Sequence, residues 1–301
     1  MFCRRLLVVY YHGENIKSRY FEGWYFKHQT QNTAIAFIPG IHARENGVKS
    51  AFIQVITPDF SDNFEFPYER FKADRKNLAI SIADNQFTQK GIAVNLENNL
   101  HTIRGRLKYG EFIEIKGDAM GPFRYVPFMQ CRHGVISMMH NISGSIGIQD
   151  RVVDFNGGIG YIETDRGCSF PDRYLWVHTA KNDINPTSVM ISVADIPFAG
   201  RKFTGCICCI RHSEKEYRLA TYNGVKIVKL EKNAVILTQG KYRLEVKVYP
   251  SASYQLRAPA NGQMSRRIHE SVCCKVRTRF YENTRQVFDF ESSQAGFEYV
   301  N

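Results

Sequence analysis

The chain has 301 residues, 44% hydrophobic and 23% charged. That is the balance of a globular protein with one large or two medium units, and it excludes disordered and fibrous classes. Forty Lys and Arg against 29 Asp and Glu leave a formal charge of +11. The densest basic runs, Arg4-Arg5 and Arg266-Arg267, are short and no nucleic-acid motif accompanies them, so nucleic acid is not an expected partner. The excess reads as a solvated surface, with a peripheral membrane contact as its other use. Aromatic residues reach 13%, which suits a β-rich core or a cavity for an apolar ligand.

The opening "MFCRRLLVVYYHGEN" carries an apolar run, Leu6 to Tyr11, too short for a secretion signal and followed by no small-residue cleavage site. No later stretch has the length to span a bilayer. Next comes "YFEGWYFKH", residues 20–28, an acid inside an aromatic run. Trp24 after Gly23 reads as a ring packed across the strands at the end of a barrel. Glu22 among Phe21, Trp24 and Tyr25 is either a buried carboxylate with a raised pKa or a surface partner of Lys27.

From residue 78 onward the hydrophobic period is two. "NLAISIADN" puts Leu78, Ile80 and Ile82 on one face, and "GIAVNLENN" does the same with Ile92, Val94 and Leu96. Later, "KYRLEVKVYP" separates Tyr242, Leu244, Val246 and Val248 from Arg243, Glu245 and Lys247. "SVCCKVRTRFY" alternates in the same way, with a helix as the other reading. Turn signals such as Asp84-Asn85, Asn98-Asn99, Asn223-Gly224 and Gln239-Gly240 divide these runs at short spacing. The pattern predicts an all-β, antiparallel sandwich or barrel with few helices and no tandem repeat. At this length two β-units are expected, packed together. The loop-like "KGDAMGPFRYVPF", 116–128, sets the boundary within 120–150, giving units over 1–145 and 146–301.

Two blocks carry candidate chemistry. "PFMQCRHGVISMMHNISGSI", 127–146, holds His133 and His140, seven apart and so on opposite faces of a single strand. Met129, Met138 and Met139 are soft apolar filler for a core or a lipid pocket. "GGIGYIETDRGCSFPDRYLW", 157–176, places Tyr161, Glu163 and Asp165 at i, i+2 and i+4, on one face of an extended strand. A phenol and two carboxylates on one face can hold a proton near neutrality, because like charges raise at least one pKa. The same acids could instead be a solvent face, or be neutralised by Arg166 and Arg173.

The eight cysteines include the neighbours Cys208-Cys209 and Cys273-Cys274, which do not read as a disulfide framework. Cys206 and Cys209 have C-x-x-C spacing with no second pair, so buried thiols are expected rather than a metal site, in a cytoplasmic protein. No G-x-S-x-G elbow or phosphate-binding loop occurs, and "GGIG" precedes a strand rather than a helix, so no nucleotide cofactor is expected.

Six blocks, "YFEGWYFK", "MQCRHGVISMMHNISGSI", "GGIGYIETDRGCSFPDRYLWVH", "SVADIPFAGRKFTG", "RLATYNG" and "LRAPANGQMSRRIHES", span most of the chain. In this order they resemble the tocopherol cyclase-like family, and around Tyr161 and Glu163 the chain is more distantly similar to carotenoid hydratases. The resemblance implies lipocalin-like β-barrel units and an apolar prenyl quinol or lipid as partner, with no cofactor or metal. It implies cyclisation by protonation of a prenyl double bond and capture of the cation by a phenol oxygen. A hydratase or a non-catalytic carrier are the alternatives. Carried over residue by residue, the catalytic set is Glu163, Asp165, Tyr161 and His133, and the substrate-binding set is Trp24, Tyr25, Glu22, His140 and Trp176. Arg166 stands where the family usually has Trp, and His178 where it usually has Gln.

Overall fold

A computed structural model describes residues 10–127, 129–198 and 200–301. Cys3, Arg4-Arg5 and the apolar residues 6–9 lie outside the described residues. What is described is almost entirely antiparallel strand, in two sheets with short 3-10 turns. None of its helices is long and apolar enough to cross a membrane.

The first sheet has twelve strands. Four of them meander outward from Tyr20–Gln29 through Ala34–Ala43 and Lys49–Ile56 to Ser61–Pro67. On its other side, Tyr20–Gln29 pairs with Gly158–Gly167, which pairs in turn with the long strand Cys131–Ile148. The second sheet has ten strands and repeats this plan. Tyr174–Lys181, Thr187–Phe198, Arg201–His212 and Lys215–Ala220 meander outward, and Tyr174–Lys181 pairs on its other side with the last strand, Arg285–Val300. Two lipocalin-like units therefore share a strand plan that no sequence repeat announces. Each unit is pinned by its own first and last strands.

The change from one sheet to the other falls between Gly167 and Tyr174, beyond the 120–150 window expected from the sequence. The Pro- and Gly-rich 116–128 stretch is a loop inside the first unit's span. Gly158–Gly167 returns afterwards to the first strand, and Cys131–Ile148 joins it to the Thr102–Tyr109 side of the sheet.

Period two does the work expected of it. Ile80 and Ile82, Ile92, Val94 and Leu96, and Leu244, Val246 and Val248 are all buried. "SVCCKVRTRFY" lies within the strand Gln263–Glu282, not a helix. Each unit has an apolar core of its own, around Trp24 and Phe87 in the first and around Leu244 and Phe280 in the second. A third cluster joins them, built from Tyr25, Tyr161 and Met138 of the first unit and Trp176, Met190 and Ile268 of the second. Cys206, Cys208 and Cys209 are free thiols within these apolar clusters, and burial pushes Cys206 and Cys209 up to about 12.

Candidate active site

The site lies where the two sheets face each other, and strand register builds it. In the first sheet Tyr25 stands opposite Glu163, and Glu163 opposite Val135, a row across three strands. In the second, Trp176 stands opposite Glu298, and Glu298 opposite Glu270. The rows exchange hydrogen bonds. The Trp176 indole N–H donates to Glu163 Oε2 at 3.1 Å, and the Tyr25 hydroxyl donates to Glu270 Oε1. Tyr25 and Trp176 meet edge to face with ring centroids 5.2 Å apart. Gly296 leaves room for this contact, since a Cβ there would lie 2.6 Å from the Trp176 ring.

Between the rows is a cavity lined largely by apolar groups such as Phe52, Met129, Phe170 and Phe203. Its polar lining includes Tyr25, His133, Glu163, Asp165, Tyr174 and Glu298, with Arg257 and Gln54 at its edge among others. Glu163 is buried at 5% exposure. Its Oε2 accepts from the Tyr161 hydroxyl as well as from Trp176, and His133 Nε2 lies 3.5 Å away. The other ring nitrogen of His133, Nδ1, lies 3.1 Å from Asp165 Oδ1. One imidazole thus sits between two carboxylates.

The charges follow. Burial raises Glu163 to about 7, assisted by the charge of Asp165 and opposed by His133, Tyr161 and Trp176. Burial works against the His133 cation, but the two carboxylates more than offset it and lift His133 to about 9. Burial and the neighbouring Glu163 push the Tyr161 hydroxyl far above its ordinary value. Near neutrality the arrangement is an imidazolium paired with Asp165 and a Glu163 that holds a proton much of the time.

His133, Glu163 and Asp165 offer ligand atoms within 4.8 Å of one another, a spacing that a metal ion could bridge. A ligating histidine needs one nitrogen free for the ion and uses the other toward a supporting group. Here Nδ1 is already hydrogen-bonded to Asp165, which makes that acid the supporting group and leaves only Nε2, without a hydrogen bond, and Glu163 as ligands, fewer than a metal centre takes.

Of the sequence-derived set, Glu163, Asp165, His133, Tyr25 and Trp176 line the cavity. Tyr161 sits behind Glu163 at 1% exposure, its ring stacked on His178 at 3.6 Å and its hydroxyl hydrogen-bonded to Glu163. Glu22, Trp24 and His140 are not brought to the cavity. Alternation along Tyr20–Gln29 turns Phe21, Gly23 and Tyr25 to the cavity and Glu22, Trp24 and Phe26 away from it. Trp24 packs in the first core against Tyr11 and Phe71. Glu22 is neither a surface partner of Lys27 nor a cavity acid: it accepts from the backbone N–H groups of His12 and Gly13 and from the Tyr20 hydroxyl. His140 is buried beside Tyr109, Phe112 and Ser137, and burial lowers it to about 3. Thr164, on the face opposite Glu163 and Asp165, donates to the Gly23 carbonyl.

Sequence reasoning missed Glu270, Glu298 and Tyr174. Glu270 shares the parity of the buried Ile268, Val272 and Cys274 along its strand, and an acid in such a row is a readable signal. Glu298 had none. Register shifts between Gln263–Glu282 and Arg285–Val300 break the parity that would have placed it.

No protein-family model matches the chain, and no curated protein does. Solved structures do. CghA with Sch210972 superposes with a TM-score of 0.60 at 10% identity, covering 94% of this chain and 89% of that one. An AttH-type protein from Nitrosomonas europaea gives 0.56 at 10% identity, covering 93% of each chain. Kievitone hydratase from Nectria haematococca gives 0.55 at 8% identity, covering 99% and 95%. These likenesses show the fold, two lipocalin-like β-units over nearly the whole chain.

Proposed function

We propose that the chain is an acid catalyst acting on an isoprenoid or prenylated apolar substrate. Glu163 protonates a trisubstituted double bond, and the resulting tertiary cation is captured by oxygen. The observation that carries this reading is a buried, proton-holding glutamate on the wall of an aromatic-lined cavity, with a cation held beside it.

The donors Tyr161 and Trp176 converge on Oε2, so Oε1 carries the transferable proton. Once that proton leaves, the Glu163 anion is met by the His133 imidazolium and by two hydrogen bonds already in place. The cost of forming a charge in an apolar site is thereby reduced. Asp165 keeps His133 protonated and oriented. Aromatic faces along the cavity stabilise the developing carbocation. Capture by a phenol of the same molecule closes a chroman-type ring, the cyclase outcome. Capture by water is hydration, and the kievitone hydratase likeness makes it the second reading.

A geranylated hydroquinone incubated with the protein tests this. We expect a chromanol or a tertiary alcohol from the native chain. Glu163→Gln should lower turnover by about 10²–10⁴-fold while the probe still binds, as general acid catalysis is typically worth that much. Binding without turnover by the native protein, on this probe and on a prenylated isoflavonoid, would leave a carrier and sink the enzyme.

A further inference from the structure

The cavity has a second acidic wall. Glu298 lines it, and Glu270 stands directly opposite Glu298 on the adjacent antiparallel strand, fully buried at 0% exposure. Each carboxyl receives a tyrosine hydroxyl: Tyr25 donates to Glu270, and Tyr174 donates to Glu298 Oε2 at 2.5 Å. No lysine, arginine or histidine forms an ion pair with either among the described residues. Arg266, whose charge reaches Glu298, gives its guanidinium to the carbonyls of Pro171 and Asp172. The buried Lys27 ammonium also feels Glu270, but it is hydrogen-bonded to Gln29 and the Gln294 carbonyl and forms no ion pair with the acid, while Glu163 acts on Glu270 and Asp165 on Glu298 as negative charges. Two facing carboxyls with no ion-paired cation do not both ionise in such surroundings. The pair keeps one proton between them, and when Glu298, the lower of the two, loses its own proton, the pair carries one negative charge and is a base.

We propose that Glu298, sharing a proton with Glu270, is the base that takes the proton released when the carbocation is captured. This rests on the acid-catalysed reading above. The step balances. Glu163 Oε1–H gives its proton to one alkene carbon, consuming the π bond and forming a C–H bond. The phenol or water oxygen forms the C–O bond to the cation, its O–H bond breaks, and that proton goes to the Glu298 carboxylate. Nothing is oxidised or reduced. The pair is then doubly protonated and Glu163 anionic, and transfer of one proton back through water in the open cavity resets both. Glu270, which does not line the cavity, positions the shared proton.

The test uses the full chain with the geranylated hydroquinone. The native rate should rise with pH as Glu298 ionises and fall as Glu163 does. Glu298→Gln should lower kcat by about 10²-fold or more with KM nearly unchanged, and should remove the acidic limb alone. Glu298→Asp should recover part of the rate. Independently of turnover, infrared spectra at pH 7 should contain a protonated-carboxyl band that Glu270→Gln removes. An unchanged kcat and acidic limb in Glu298→Gln, with turnover still abolished in Glu163→Gln, would overturn this inference alone. A missing infrared band would also overturn it. Full turnover in Glu163→Gln would instead overturn the underlying reaction.

Discussion

The two walls of the cavity hold acids in opposite ways. The first unit supports Glu163 with a cation, His133, anchored by Asp165. The second gives Glu270 and Glu298 no ion pair among the described residues, only each other and two tyrosine hydroxyls. Both sit on units with the same strand plan, and both are raised by burial: Glu163 and Glu298 to about 7, Glu270 well above the carboxylate range. The difference lies in what happens after ionisation. A departing proton leaves Glu163 facing a positive charge, whereas the paired acids, once Glu298 has ionised, carry one negative charge and gain by accepting a proton. In the proposed chemistry, one scaffold makes a donor and an acceptor by changing only the neighbours.

Removing the cation should break this contrast most severely. His133→Asn leaves the Glu163 anion without its counter-charge, and we expect turnover to fall by about 10²-fold. The basic limb of the pH–rate profile should move to higher pH, because an acid that has lost its cation ionises later. A limb that stays in place would show that His133 does not act on Glu163. Trp176→Phe removes one donor from Glu163 Oε2 and keeps the ring. A hydrogen bond to a charged group is worth roughly 1.5–3 kcal/mol, so a loss of about 10- to 10²-fold is expected, with a smaller shift of the same limb.

The second wall is sharpened by stability rather than rate. A carboxyl whose folded pKa is raised costs nothing below its unfolded pKa of about 4.5, where both states are protonated. As pH rises from there toward the folded pKa, the unfolded chain ionises and the native state loses ground. Glu298→Gln should therefore raise the melting temperature at pH 7.5, by the equivalent of roughly 1–3 kcal/mol, and the gain should vanish near pH 4. Thermal melts at the two pH values check the sign. Smallest of all is Trp24→Phe, on the face of the same strand that turns away from the cavity. Turnover should change by less than about twofold, and a larger kinetic loss would mean that the first core communicates with the site.

Much of this was legible in the residues. Period two announced the strands, and the i, i+2, i+4 spacing of Tyr161, Glu163 and Asp165 placed them on one face. The face itself was harder. In "YFEGWYFK" nearly every residue is apolar because both sides of the strand are buried, one in a core and one against the second unit. Composition cannot then say which parity meets the cavity, and so Trp24 and Glu22 were grouped with Tyr25. The unit boundary was hidden because a proline-rich loop resembles a linker whether or not a sheet continues beyond it. Glu298 was hidden by register shifts, which exist only once two strands have met.

The pairing of first and last strands in each unit has a consequence for the order of events during synthesis. The first unit's final strand ends at Gly167, so that sheet can close while the second is still being made. At that moment Glu163 has its own Tyr161 and His133 but faces water, without the Trp176 indole and without the apolar wall that desolvates it. It is then an ordinary solvated carboxylate. The proton that the proposed chemistry uses is held near neutrality only once the second unit has docked and desolvated Glu163, so a half-made chain carries the residues of the site but not yet its stored proton.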